Sequence, residues 1–357
     1  MKIIIRVDAS VFIGSGHVMR CLVLAKQLRS IGYTVVFAQK LQKGDFISYI
    51  SKQGFKVLEL NQPKKFITPS SSDDYLAWLQ GSWEDDANDF ILKAKTADLI
   101  IVDHYSLDDL WERKVSNKLS CKIVVIDDLA REHYADLIID QTYGRQAEEY
   151  LHKNPKSIIL AGSEFALISP EFKRIRDNLN KNRANEGYKN ILVSMGGIDY
   201  PNVTIKILEK LAEIKNNDLH ITVLLGKRSP HYKKIKDFCF NKSAFTHILF
   251  SNEMADLMSS QHIAIGAPGS TTWERACIGL PSILIPIAEN QKVIAKNISK
   301  TGAVCLLNIS DIEESFHNKM ALIIRNWESF HKANLKLCDG QGSTKVCQHI
   351  IDILEKD

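Results

Sequence analysis

The chain opens on an apolar run of strand length, Ile3-Ile4-Ile5-Arg6-Val7, crosses a short loop containing Gly14 and Gly16, and then spaces Val18, Cys21, Leu22, Ala25 and Leu28 as one face of a helix. The hydrophobic period changes from a strand's to a helix's within about ten residues, which is how an α/β domain begins. The alternation continues. Thr34–Ala38 reads as a strand, Phe46–Gly54 as a helix closed by its glycine, Val57–Leu60 as a strand and Asp85–Lys95 as a polar-faced helix. Leu99–Val102 is a buried strand ending in Asp103-His104-Tyr105. A helix over Leu110–Leu119 leads to the strand Ile123–Ile126, ending in Asp127-Asp128, and Leu137–Ile139 is a short strand ending in Asp140-Gln141. Strand and helix in turn predict a right-handed, doubly wound parallel sheet for roughly the first 160 residues.

From Pro170 the composition turns polar, and Asn178–Tyr188 is rich in Asn and Lys, as an interdomain linker is. A second α/β pattern follows. Asn190–Met195 is a strand running into Gly196-Gly197, and a helix is expected over Asn202–Ile214. Further strands are expected at Ile221–Leu225, Ile248–Phe250, Ile263–Ile265 and Ser282–Pro286, with a helix over Thr271–Ile278 stopped by Gly279-Leu280-Pro281. Amphipathic helices around Ile312–Phe330 and Thr344–Leu354 close the pattern. The expected organisation is α/β: residues 1–165 form one Rossmann-like domain, 166–188 a linker and 189–335 a second Rossmann-like domain, while the helix in 336–357 packs back on the first. Two such doubly wound domains are expected to face a central cleft, with strand ends and helix N-termini directed into it.

Composition narrows the class without choosing a function. At 357 residues two domains are the default, and 45% hydrophobic with 25% charged is the make-up of a globular chain. The net charge of +4, from 46 basic and 42 acidic residues, is too small an excess to imply nucleic acid. Seven cysteines, odd in number and without a Cys-x-x-Cys pair, suggest neither a disulfide framework nor a zinc ribbon, and fit reduced thiols in the cytoplasm. No apolar run approaches membrane-spanning length.

Several places carry candidate chemistry. His17 follows Gly14 and Gly16 and stands at the start of a helix beside the carboxyl end of the first strand, where ligands of open parallel sheets lie. The helix dipole there disfavours imidazolium, and a neutral imidazole can take a proton from water; general base catalysis contributes about 10²–10⁴-fold. A lone histidine is more often structural or solvated. The turns at Gly196-Gly197 and Gly269-Ser270-Thr271 let backbone approach an anion such as a nucleotide diphosphate, with helix N–H groups to receive it; taken singly, each also reads as an ordinary tight turn. Glu274, one helical turn further on, can accept hydrogen bonds from ribose hydroxyls or simply answer the helix dipole. Asn290-Gln291 can face the cleft or cap a helix. Asp127-Asp128 can bind Mg²⁺ or cap the next helix, and Tyr105 can hydrogen-bond a sugar or its amides.

Arg6-Val7-Asp8-Ala9-Ser10 with Gly14-Ser15-Gly16-His17-Val18-Met19-Arg20-Cys21 resembles the N-terminal signature of the PseG family, the UDP-sugar hydrolases of pseudaminic acid biosynthesis. The likeness continues through Val102-Asp103-His104-Tyr105, Ile126-Asp127-Asp128-Leu129-Ala130, Ser194-Met195-Gly196-Gly197-Ile198-Asp199 and Ala267-Pro268-Gly269-Ser270-Thr271-Thr272-Trp273-Glu274-Arg275. The last of these turns is shared with MurG-like glycosyltransferases. The resemblance implies a GT-B fold and removal of UDP from UDP-2,4-diacetamido-2,4,6-trideoxy-β-L-altropyranose by water, with inversion. It implies no metal and no cofactor, His17 as the catalytic residue, and Arg20, Tyr105, Asn290 and Gln291 on the substrate. The glycine turns, Ser270, Thr271 and Glu274 would hold UDP. A MurG-like glycosyltransferase, a hydrolase of a related UDP-diacetamido sugar and a non-catalytic nucleotide-sugar binding protein stay open beside it.

Overall fold

Seven short strands, most of them near-unbroken apolar runs, form a first, all-parallel sheet: β1 Lys2–Val7, β2 Thr34–Lys40, β3 Lys56–Leu60, β4 Leu99–Asp103, β5 Lys122–Ile126, β6 Leu137–Asp140 and β7 Ile158–Ala161. Such runs suit strands buried on both faces, and β1 shows why: Ile3, Ile5 and Val7 pack into the core on one side of the sheet and Ile4 into the core on the other. The strand order is β3-β2-β1-β4-β5-β6-β7. The computed structural model describes residues 1–63, 65–71, 74–179 and 188–355.

The second sheet holds six strands: β8 Asn190–Ser194, β9 His220–Leu224, β10 Phe245–Ile248, β11 Ile263–Gly266, β12 Ser282–Leu284 and β13 Val304–Leu306. It is also parallel, in the order β10-β9-β8-β11-β12-β13. Contacts divide the chain into two units, Met1–Leu167 with Gln341–Asp357, and Ile168–Gly340. The crossing segment is the helix Gly342–Glu355. Its Val346, Cys347, Ile350 and Ile353 join the core beside Val18, Leu22 and Ala25 of the first helix, Gly16–Ser30. At Gly342 a Cβ would sit 2.5 Å from the backbone of Ala166, so only glycine lets the helix start this close.

Several elements differ from the sequence pattern. Within the polar stretch read as a linker, Pro170–Asp177 is a helix, capped by Ser169 with proline in its first turn. Phe172 is buried and Arg176 Nη1 donates to the carbonyls of Cys277 and Cys338, 2.9 Å each, so this helix is built into the second unit; residues 180–187 lie outside the described residues. The strand expected at Ile248–Phe250 is instead β10, because Phe245 is the buried aromatic and Phe250 is exposed. The long helix expected over Ile312–Phe330 is two, Ile312–Arg325 and Trp327–Leu337, with Trp327 buried and its indole N–H donating to the His262 carbonyl at 2.7 Å.

Candidate active site

In each sheet the strand order reverses at one place, and an open parallel sheet binds its ligands outside the carboxyl ends of the strands at that switch point. In the first unit it lies between β1 and β4, which pair with Val7 opposite Asp103. The helix after β1 brings His17 there in its first turn, and Asp103 is the last residue of β4. His17 Nδ1 lies 2.6 Å from Asp103 Oδ1.

The first helix presents three side chains to the same carboxylate, at i, i+3 and i+4 from His17. Arg20 Nε and Nη2 donate to Asp103 Oδ2 and Oδ1, 2.7 Å each, and Cys21 Sγ donates to Oδ2 at 3.4 Å. The Arg20 fork spans two acids, because Nη1 donates to Asp128 Oδ2 at 2.9 Å. Tyr105 donates its hydroxyl to that same Asp128 oxygen at 2.7 Å, and its ring stands edge-on to His17, centroids 4.9 Å apart. Burial works to raise the pKa of Asp103, but the Arg20 guanidinium and the His17 ring outweigh it and hold the carboxyl well below the usual carboxylate range. An ionised carboxylate only accepts, so the Nδ1 facing it carries a proton, and in the neutral ring the lone pair then sits on Nε2. Tyr105 is driven the other way: burial and then Asp128 push its phenol well above its ordinary value, so it stays a donor.

A second layer fixes this one. His104 receives the Ser106 N–H on Nδ1 at 3.1 Å and turns Nε2 toward Asp8, 3.3 Å away. Burial keeps it neutral against the pull of Asp8, and it braces the turn that carries Asp103 and Tyr105. Asp8 and Asp86 in turn receive the buried Arg6 guanidinium, 2.7 Å each. Asp127 and Asp128 do not act as a pair. Asp127 accepts from Arg131 Nε at 2.9 Å, from the Arg131 N–H at 3.0 Å and from Tyr150 at 3.0 Å, whereas Asp128 faces Arg20 and Tyr105.

In the second unit the switch point lies between β8 and β11, with Ser194 opposite Gly266. A Cβ on Gly266 would fall 2.3 Å from Arg275 Nη1 and 2.6 Å from the Ser194 carbonyl, so glycine is required. Arg275 Nη2 braces the turn from beneath, donating to the Ala267 carbonyl and to Thr272 Oγ1 at 3.2 Å each, and Thr272 Oγ1 accepts the Gly269 N–H at 3.2 Å. Ser270 and Thr271 then open the helix Ser270–Cys277, where the first N–H groups lack intrahelical acceptors. Glu274 keeps Oε2 buried without a hydrogen-bond partner among the described residues, and burial, against the attraction of Arg275, pushes its carboxyl up to about 7. A buried acceptor left unpaired is a group waiting for a donor.

Sequence and structure part at several predicted residues. Gly196 takes φ +85° in the turn after β8. In the helix beyond Gly196-Gly197 the first two N–H groups, of Val203 and Thr204, are already accepted by the buried Asp199 carboxylate at 2.9 and 2.8 Å. Arg20 is 5% exposed and its fork is spent on Asp103 and Asp128, so it holds carboxylates and has no free edge for a ligand. Gln291 Oε1 accepts the Ile287 N–H at 2.9 Å and so stabilises its own loop. The side chain of Asn290 lies outside the described residues. The sequence pattern did not give Asp103 as the partner of His17 or Asp128 as the partner of Arg20 and Tyr105, and it did not single out Trp78, whose ring stacks on Tyr105. The one signal for Asp103 is its place at the end of a buried strand.

Residues 191–343 match the model of the glycosyltransferase family 28 C-terminal domain. An uncharacterised protein of Methanocaldococcus jannaschii is 27% identical over 84% of this chain, which spans 60% of that relative's length. The spore coat polysaccharide biosynthesis protein SpsG of Bacillus subtilis is 26% identical over 76% of the chain and 82% of its own length. The UDP-2,4-diacetamido-2,4,6-trideoxy-beta-L-altropyranose hydrolase of Campylobacter jejuni is 26% identical over 85% of the chain and 97% of its own length. Among solved structures, MurG of Acinetobacter baumannii aligns over 100% of this chain and 99% of its own at TM-score 0.63 and 14% identity. The spinosyn rhamnosyltransferase SpnG aligns over 100% of both at TM-score 0.67 and 14% identity. The fold is GT-B. Among the described residues no helix is long and apolar enough to cross a membrane.

Proposed function

We propose that the chain is a nucleotide-sugar hydrolase that releases UDP from UDP-2,4-diacetamido-2,4,6-trideoxy-β-L-altropyranose by attack of water on the anomeric carbon. The observation that carries this reading is the 2.6 Å contact between His17 Nδ1 and Asp103 Oδ1 at a sheet switch point. With Nδ1–H committed to the carboxylate, Nε2 takes a proton from water as the water oxygen bonds to the anomeric carbon. The bond from that carbon to the diphosphate oxygen breaks, UDP leaves with the electron pair, and the sugar departs with its anomeric configuration inverted. The imidazolium faces the Asp103 carboxylate, which stabilises it without taking the proton, and later returns the proton to solvent. The Tyr105 oxygen, its own proton given to Asp128, accepts from an N–H or O–H of the sugar.

The second unit holds the nucleotide in this reading. The N–H groups of Ser270 and Thr271 receive the diphosphate at the positive end of their helix, Gly196, Gly197 and Gly269 let backbone approach it, and the ribose hydroxyls fill the unpaired acceptor of Glu274. The likeness to the Campylobacter jejuni hydrolase supports the choice of sugar and of water as acceptor. The match to a glycosyltransferase family over residues 191–343 favours a second reading, transfer to an acceptor alcohol from the same donor site. Incubating the UDP-sugar with the protein in water and no acceptor, followed by NMR, separates them. Release of UDP with the inverted anomer formed first is expected. Release only when an alcohol acceptor is added assigns a transferase, and UDP binding without release under either condition assigns a binding protein.

A further inference from the structure

The helix Tyr75–Trp78 belongs to neither switch point, yet its tryptophan reaches the first. Trp78 stacks on Tyr105, centroids 5.7 Å apart and planes 28° from parallel, and stands edge-on to His17 at 6.3 Å and 80°. Tyr75 fills the angle between them, 4.8 Å from Trp78 and 4.9 Å from Tyr105. The four rings leave Trp78 only 9% exposed and the His17 side chain 14%.

This segment is fastened to the unit beneath it. Asp74 caps the helix through the Ala77 N–H at 3.3 Å, Lys40 Nζ donates to the Leu79 carbonyl at 2.8 Å, and Gln42 Nε2 donates to the Trp78 carbonyl at 3.3 Å. Ser106, one residue after Tyr105, donates its hydroxyl to the Tyr75 carbonyl. Gln80 sits in the left-handed region at φ +57° and clasps Ile67 by N–H and carbonyl, 2.8 and 2.5 Å. A non-glycine residue is kept there only when its surroundings over-determine it. The aromatic roof is thus a built part of the unit.

We propose that Trp78 is a positioning residue for His17, excluding water from the Nδ1–H···Asp103 bond and holding the imidazole upright through Tyr105. The polar groups around His17 are Asp103 from β4, Arg20 and Cys21 from its own helix, and Tyr105 with Asp128 behind it. These orient the ring through hydrogen bonds that water can compete for, and Trp78 supplies the apolar cover that removes the competitor. The consequence for turnover rests on the reading of His17 as the base; the shielding itself is measured apart from it.

The test uses the full chain and follows the downfield proton resonance of His17 Nδ1–H, assigned by its loss in His17→Gln. The parent is expected to show it. In Trp78→Ala it exchanges with water and broadens away, whereas Trp78→Phe retains it; turnover falls roughly tenfold or more in Trp78→Ala with UDP affinity unchanged. Should Trp78→Ala lose the folded spectrum, Trp78→Leu carries the same comparison with the apolar volume partly kept and the ring absent. A resonance that survives in the ring-less variant with the parent's exchange rate overturns the proposal, even if the parent hydrolyses the UDP-sugar. Loss of the resonance in a protein that releases no UDP leaves the shielding standing and removes the hydrolase.

Discussion

His17 and Asp103, separated by 86 residues in sequence, are joined by a 2.6 Å contact because β1 and β4 are neighbours at the point where the strand order reverses. The pair fixes which imidazole nitrogen holds a proton, and that choice is what a general base needs.

Asp103→Asn tests the pair directly. An asparagine can donate its amide to Nδ1 and leave Nε2 protonated, so the geometry is kept and the wrong tautomer is favoured. Turnover should fall by about 10²–10⁴-fold while calorimetry finds the parent's affinity for UDP. Turnover within threefold of the parent would remove Asp103 from the mechanism.

Glu274 has a carboxyl that burial pushes up to about 7. An acid whose folded pKa is raised holds its proton in the folded state longer than in the unfolded one, so stability declines as pH rises from about 4.5 to about 7. Glu274→Gln should flatten that decline in thermal melts of the unliganded protein. The same change should cost UDP about tenfold in affinity above pH 7, where the ionised acceptor is lost. Unaltered UDP affinity would mean that the ribose lies elsewhere.

His133 gives a slope of the same sign at higher pH, from the loss of a stabilising contact rather than from a burial cost. It is buried with Nδ1 2.8 Å from Glu112 and Nε2 3.5 Å from Asp127; burial works against the charge, but the bonds to Asp127 and Glu112 raise its pKa from 6.5 to about 9. The folded state therefore holds this proton more tightly, and the stabilisation is fully present below pH 6.5 and lost as pH rises through about 9. The melting temperature of the parent should fall across that window, and His133→Gln should start lower and lose the slope. Equal slopes in the two proteins would count against the buried ion pair.

Gly266→Ala asks whether the second switch point needs its close approach. The added methyl would meet Arg275 Nη1 at 2.3 Å and the Ser194 carbonyl at 2.6 Å. Overpacking of this kind costs about 1–3 kcal/mol, and displacing Arg275 should loosen the turn at Ala267–Thr272 and weaken UDP binding. Denaturant unfolding with a UDP titration measures both; parent-like values in each would show that Arg275 swings aside without consequence.

Much of this site is visible in the chain before any fold is known, for a physical reason. His17 and the turn at Gly269 sit where the hydrophobic period changes, and a period is a local property. The partners of His17 are not local. Asp103 reaches it, and Asp128 reaches Arg20 and Tyr105, through the order of strands, which depends on which edges pair; in the sequence both are only acids at strand ends. Arg20 shows the converse: an arginine one helical turn from a candidate base looks like a ligand binder, and only the paired acids around it reveal that its donors are taken. Trp78 was out of reach because a four-residue helix has no period to read. β7 is equally short, four residues with the first exposed.

The helix Gly342–Glu355 carries a consequence for how the protein comes into being. Its apolar face completes the core around Val18, Leu22 and Ala25, yet it follows the whole of the second unit in the chain. On the ribosome the second unit, continuous from Ile168 to Gly340, has all its residues in hand while the first still lacks part of its interior. The half of the protein that carries His17 is synthesised first and can be finished only last, so its exposed helix face is the stretch of this chain most in need of protection during synthesis.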